Sequence, residues 1–216
     1  MKKNMNESMK IEHLYKSFGK TDVLQDISLS AHPSEIIGVT GRNGCGKTVL
    51  FKCICGMLKP SSGEIYVNGK QIGKDVDVPQ SVGVLIENPA FLPQFSAYDN
   101  LRILSGINRK ITDEQIKEVL ESFGLDWKNK RHVEKYSMGM RQRLGLAQAV
   151  MEDPSVLILD EPMNSLDQYW VKNVREKLFT LKAQGKTILL ASHYKEDVDC
   201  LCDRVVRLEK GRMIAL

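Results

Sequence analysis

No apolar run in this 216-residue chain approaches the roughly 20 residues that a membrane-crossing helix needs. Its longest apolar runs, 156–159 and 188–191, are the size of buried strands. Residues 1–10 lack the apolar stretch of a secretory signal, so a cytosolic chain is expected. There is no glycine period and no sustained heptad, which excludes collagen-like and coiled-coil classes. Neither charge dominates: 31 basic and 27 acidic residues leave +4, too little to point to nucleic acid. Five cysteines are an odd number without an export signal, which argues against a disulfide framework. Cys53/Cys55 and Cys200/Cys202 have C-x-C spacing, not the C-x2-C of common zinc sites. Both pairs have apolar neighbours and read as buried or half-buried thiols.

What is present is ordinary globular composition, 42% hydrophobic and 27% charged, which excludes disorder over most of the chain. The length suits one domain with a core that needs no staples. Strand-like and helix-like segments alternate, the mark of an α/β fold. Strands are expected at 10–15, 23–31, 35–39, 64–67, 156–159 and 187–191, with a turn at 18–22. A terminal hairpin is expected from 205–208 and 213–215 around Lys210-Gly211. Helices are expected at 47–58, 116–123, 139–150 and about 167–184. Ser96 can cap a further helix, and Thr112-Asp113-Glu114-Gln115 has the capping-box pattern. The expected plan is one domain over 1–216. Its catalytic core is formed by about 10–85 and 154–216, and a helical subdomain by about 86–153.

Gly41-Arg42-Asn43-Gly44-Cys45-Gly46-Lys47-Thr48 fits G-x-x-x-x-G-K-[ST], after an apolar strand and before a helix that continues through Val49. Glycines let backbone N–H groups close around phosphate oxygens, and the helix dipole favours the anion. Lys47 would reach the β- and γ-phosphates of ATP, and Thr48 would ligate Mg²⁺. Val156-Leu157-Ile158-Leu159-Asp160-Glu161 is a buried strand ending in two carboxylates, where a parallel sheet presents its ligand site. Asp160 is placed to hold Mg²⁺ and Glu161 to polarise the attacking water. Cys45, inside the loop, is a small residue at a variable position, where a bulky oxidised adduct would block phosphate.

A third motif, Tyr136-Ser137-Met138-Gly139-Met140-Arg141-Gln142-Arg143, resembles the signature of ATP-binding subunits of ABC transporters, usually Leu-Ser-Gly-Gly-Gln. Ser137 and Gly139 match; Tyr136, Met138 and Met140 depart. Asn164-Ser165-Leu166-Asp167 is similar to the family's D-loop, and His193 to its switch histidine, which contacts γ-phosphate. Phe18 resembles the aromatic that stacks on adenine, with Tyr15 as competitor. Matches run from about 10 to 213. The resemblance implies a P-loop NTPase core with an antiparallel β subdomain and a helical insert carrying the signature.

It also implies an ATPase that dimerises, as a homodimer or heterodimer, when ATP binds. Ser137 and Gly139 of one copy then close over the nucleotide of the other. The implied partner is an integral membrane permease, not nucleic acid, with the ATPase peripheral on the inner face of the cell membrane. The region 87–101, with Pro89 and Pro93, resembles the groove that receives a short permease helix.

One departure carries information. The family has Gln where this chain has Glu87, in Leu85-Ile86-Glu87-Asn88-Pro89-Ala90-Phe91. A carboxylate only accepts and brings negative charge beside the metal. This feature resembles a subgroup linked to bacitracin and lantibiotic export or self-immunity, and places Glu87 among both the catalytic and the metal-site residues. Two alternatives stay open: a soluble ABC ATPase acting on ribosomes or nucleic acid, and a P-loop small-molecule kinase.

Overall fold

A computed structural model describes residues 7–87 and 89–215. Residues 1–6 of the stretch inspected for an export signal, Asn88 of the 85–91 segment, and Leu216 lie outside the described residues.

The chain begins β1 (Met9–Phe18), β2 (Thr21–Ala31), β3 (Ile36–Thr40), α1 (Lys47–Ile54), β4 (Ser62–Val67), β5 (Lys70–Gln71) and β6 (Val82–Leu85). It continues α2 (Ala97–Asn108), α3 (Asp113–Ser122), α4 (Met138–Val150), β7 (Val156–Asp160) and α5 (Gln168–Ala183). It ends β8 (Thr187–Ala191), α6 (Lys195–Leu201), β9 (Arg204–Glu209) and β10 (Arg212–Ala215).

Two sheets result. One is antiparallel, in the order β2-β1-β4-β5. The other has the order β10-β9-β3-β8-β7-β6, parallel except for the β9–β10 pair. Every residue of β7 and β8 is buried, which explains their unbroken apolar runs.

Alternation along these strands sends side chains into two cores. Ile37, Val39, Val156, Ile158 and Leu189 pack with Phe51 and Ile54 of α1 and with the antiparallel sheet. Ile36, Leu157, Leu159, Ile188 and Leu190 pack with Leu101, Leu120, Leu144 and Val174 of α2–α5. The parallel sheet is thus the shared wall between a β-side and a helix-side core. Each Leu, Ile or Phe fully buried there contributes about 1.5–3 kcal/mol.

Several expected boundaries shift for local reasons. α1 stops at Ile54, not at 58. Gly56 lies in the left-handed region (φ 73°), and the Met57 and Leu58 N–H groups turn back to the Lys52 carbonyl. The expected turn at 18–22 tightens to Gly19-Lys20, because β1 runs to Phe18 and pairs with Thr21. The capping box at Thr112 and Gln115 forms, and α3 begins at Asp113.

Three elements were not anticipated, the first being the two-residue β5. β6 is four residues long, and α6 has a mostly polar sequence, Lys-Glu-Asp-Val-Asp-Cys-Leu. Cys53, Cys55 and Cys202 are partly or fully buried, and burial pushes their thiols up to about 11, about 12 and about 12. Cys200 corrects the reading of buried or half-buried pairs: it is exposed on α6.

Candidate functional site

The sheet order lines up the chemistry. β3 releases the 41–48 loop, β8 leads to Ser192-His193, β7 ends in Asp160, and β6 leads to Glu87. These strands are parallel neighbours in the order β3-β8-β7-β6, so four distant segments share one sheet edge. Ligands bind at that edge in open α/β sheets.

The loop 41–48 needs its glycines. Gly41, Gly44 and Gly46 have φ of 145°, 77° and 109°. A Cβ on Gly41 would meet the Leu208 carbonyl oxygen at 2.3 Å, and one on Gly46 would meet Leu24 at 3.0 Å. Lys47 is buried, and its ammonium donates to the Gly41 carbonyl at 2.8 Å, curled over its own loop. Arg42 and Asn43 are exposed at the rim, while Cys45 and Val49 are half-buried against the β-side core.

Thr48 Oγ1 donates to Asp160 Oδ2 at 2.7 Å across 112 residues of chain. A hydroxyl and a carboxylate in contact beside a phosphate loop are hard oxygen donors of the kind Mg²⁺ takes. Glu161 follows with φ 53°, a region side chains rarely adopt. Its N–H donates to the Ala191 carbonyl at 2.9 Å, and its Oε2 lies 2.8 Å from His193 Nδ1. The kink turns the carboxylate off the strand and onto the histidine.

A cavity of about 970 Å³ joins these parts. Gly44, Gly46, Lys47, Thr48, Val49, Asp160, Glu161 and Glu87 line it. Glu87 has φ 56° and pairs with Lys52 Nζ at 2.8 Å, one turn beyond Thr48 on α1. Eight expected residues do not line the cavity: Phe18, Gly41, Arg42, Cys45, Ser137, Gly139, Asp167 and His193. Ser137 caps α4 by accepting the Met140 N–H at 3.2 Å, and Asp167 caps α5 by accepting the Trp170 N–H at 2.9 Å. Gly139 packs on the D-loop-like segment, where an added Cβ would lie 2.7 Å from the Ser165 carbonyl oxygen. Phe18 and Tyr15 are both exposed and also stand outside the lining; the Lys16 ammonium sits 4.8 Å over the Phe18 ring. From the antiparallel sheet it is Val23 that lines the cavity.

Sequence reasoning did not assign Val23, Pro89, Met138, Arg141, Gln142, Asn164 or Ser165 to the nucleotide site, though all line the cavity. Gln142 is buried and donates to the Glu161 and Pro162 carbonyls at 2.9 and 3.0 Å, so α4 pins the backbone of the 161–162 turn. Its signal was available. Gln142 shares a stripe with Gly145, Leu146 and Ala149 at i+3, i+4 and i+7, a buried helix face.

Comparison with known proteins decides the family. The ABC transporter family model matches residues 24–164. The chain belongs to the ABC transporter ATP-binding family. It is 41% identical over 205 residues to the uncharacterized ABC transporter ATP-binding protein YybJ of Bacillus subtilis, covering 95% of this chain and 94% of that one. The lantibiotic transport ATP-binding protein SrtF of Streptococcus pyogenes is 32% identical, over 95% of this chain and 89% of its own. The bacitracin transport ATP-binding protein BcrA of Bacillus licheniformis is 34% identical, over 97% of this chain and 69% of its own. A solved ATP-binding subunit of an ABC transporter superposes with TM-score 0.85 at 23% identity, covering 96% of this chain and 90% of that one, and shares the fold.

The ABC family resemblance read in the motifs therefore holds, as does the α/β fold expected from it. ABC ATP-binding subunits bind nucleotide, are ATPases, and work with membrane permease components. Neither the kinase nor the ribosome or nucleic-acid alternative is favoured. Among the described residues no helix is long and apolar enough to cross a membrane.

Proposed function

We propose that this ABC ATP-binding subunit hydrolyses Mg²⁺-ATP in the cavity at the 41–48 loop to power export of a peptide antibiotic or similar amphipathic compound. The observation that carries the ATP chemistry is the Thr48–Asp160 contact, with Glu161 against His193 beside it. The backbone of 41–48 holds the phosphates, Lys47 leaves the Gly41 carbonyl for the β- and γ-phosphates, and Phe18 stacks on adenine. Thr48 and Asp160 are the donors that would hold Mg²⁺, with Glu87 beside it, and the ion would neutralise phosphate charge. Glu161 takes the proton of the attacking water, and His193 meets the γ-phosphate.

Ser137, Gly139 and Asp167 serve the nucleotide of a second ATPase subunit, identical or related. This arrangement rests on the family resemblance, since Met138 and Arg141 at the same helix start line the chain's own cavity while Ser137 and Gly139 do not. The chain then divides into a core of about 10–85 and 154–216 and a helical subdomain of about 86–153. It sits on the inner face of the cell membrane against a permease. The 87–101 region is the docking region. Its backbone is tied at Leu92 to the buried Asn100 side chain, while Leu92 and Phe95 stay exposed. SrtF and BcrA support peptide-antibiotic cargo.

Glu161→Gln tests the chemistry. Turnover should fall about 10²–10⁴-fold, while ATP binds and traps a dimer in size-exclusion chromatography. Normal hydrolysis would remove Glu161 from the base role. Bacitracin and lantibiotic protection assays, with parent and Glu87→Gln, test the cargo. Protection by neither would sink the subgroup reading and leave the ATPase intact.

A further inference from the structure

Behind His193, three segments meet at one buried carboxylate. Asp197, in the first turn of α6, is 1% exposed. A buried carboxylate is costly unless it is paired and hydrogen-bonded. Asp197 is both. Its Oδ1 accepts from Arg175 Nε at 2.9 Å and Nη2 at 2.5 Å. Its Oδ2 accepts from the Ser192 hydroxyl at 3.1 Å. That same hydroxyl oxygen accepts the Tyr194 N–H at 3.1 Å.

The arrangement brackets the histidine. Both chain neighbours of His193 are tied to one buried hydroxyl, and the hydroxyl is tied to Asp197. The His193 ring lies 4.0 Å from the Tyr194 ring, with Nδ1 on Glu161. Arg175 belongs to α5, whose N-cap is Asp167. The ion pair therefore joins the helix that follows the 164–167 loop to the turn that follows β8. Charge-assisted bonds of this kind are short, directional and well suited to fixing a backbone. Arg175 also reaches Glu196 at 3.0 Å on the exposed side.

We propose that Arg175, Asp197 and Ser192 are positioning residues that fix the 192–194 turn, so that the His193 imidazole meets the γ-phosphate when nucleotide binds. The inference rests on the proposed reading of His193 as a γ-phosphate residue.

Steady-state ATPase kinetics on the full chain test it, with Ser192→Ala, Asp197→Asn and His193→Ala, singly and combined. Misplacing a catalytic group costs turnover more than ground-state binding. Ser192→Ala should therefore lower kcat about threefold and Asp197→Asn about tenfold, with KM for ATP held within about twofold. Neither should add to the loss in His193→Ala, since groups that act through one another are not additive. Parent kcat in both single variants, or equal losses with and without His193, overturns this inference alone. Parent kcat in His193→Ala overturns the reading of His193 as well.

A second readout needs no turnover. In the ATP-bound Glu161→Gln chain, the His193 ring should give one NMR signal, which Ser192→Ala splits or broadens. An unchanged signal counts against the proposal. If Asp197→Asn does not fold, Ser192→Ala, which removes a single hydroxyl, decides the matter.

Discussion

The helix N-termini of α1 and α4 are built in opposite ways. α1 starts from Gly46 at φ 109°, with no side-chain cap. α4 starts from Ser137, whose hydroxyl already accepts the Met140 N–H. Unfilled N–H groups at a helix start are a ready anion site. α1 keeps that capacity for phosphate, with Lys47 parked on its own loop. α4 spends its cap locally, and Gly139 beside it is pressed on the Ser165 carbonyl. The α1 site is thus completed by its own chain through Thr48 and Asp160. At the α4 start it is Met138 and Arg141, not the capped Ser137, that line the chain's own cavity.

The sharpest way to break this contrast is at α1. Lys47→Ala removes a charge-assisted contact worth about 1.5–3 kcal/mol, so ATP affinity should fall about 10–100-fold in a fluorescent-nucleotide titration. A drop under about threefold would mean that the loop backbone alone carries binding. Gly139→Ala drives a methyl into the Ser165 carbonyl. It should cost about 1–3 kcal/mol in urea unfolding, with turnover lost and nucleotide affinity kept.

Ser137→Ala and Thr112→Ala make a matched pair. Each removes an N-cap worth about 1 kcal/mol. Only Ser137→Ala should lower ATPase rate, because Thr112 caps α3 with Gln115. Equal rates in the two would reduce Ser137 to a cap. The smallest effect on folding is expected from Glu87→Gln. The exposed Lys52–Glu87 pair is worth under about 1 kcal/mol. The unfolding midpoint should barely move, while the Mg²⁺ dependence of turnover changes.

Legibility followed locality. The 41–48 loop was readable because its glycines are required by backbone geometry within eight residues. β7 and β8 were readable because burial on both faces leaves an unbroken apolar run. α6 was not readable, since its polar sequence is held by contacts made far away, such as Asp197 with Arg175. α1 is shorter than its helical pattern, which continues past the point where Gly56 reverses the chain. The stripe on α4 marks Gln142 as facing inward, but not its partners, the Glu161 and Pro162 carbonyls, which lie 19 and 20 residues on.

By itself the sequence determined the long strands, the phosphate loop, the Ser96 and Thr112 caps and the family resemblance, because each depends on residue types at short fixed spacings. The tertiary structure alone decided which of these meet. Thr48 touches Asp160, and Glu161 touches His193, because β8 lies between β3 and β7 in one parallel sheet. Asp197 is near the histidine turn by chain proximity, five residues from Ser192. Only the packing of α5 on α6 brings it Arg175, across 22 residues, because no short spacing fixes which helix covers which.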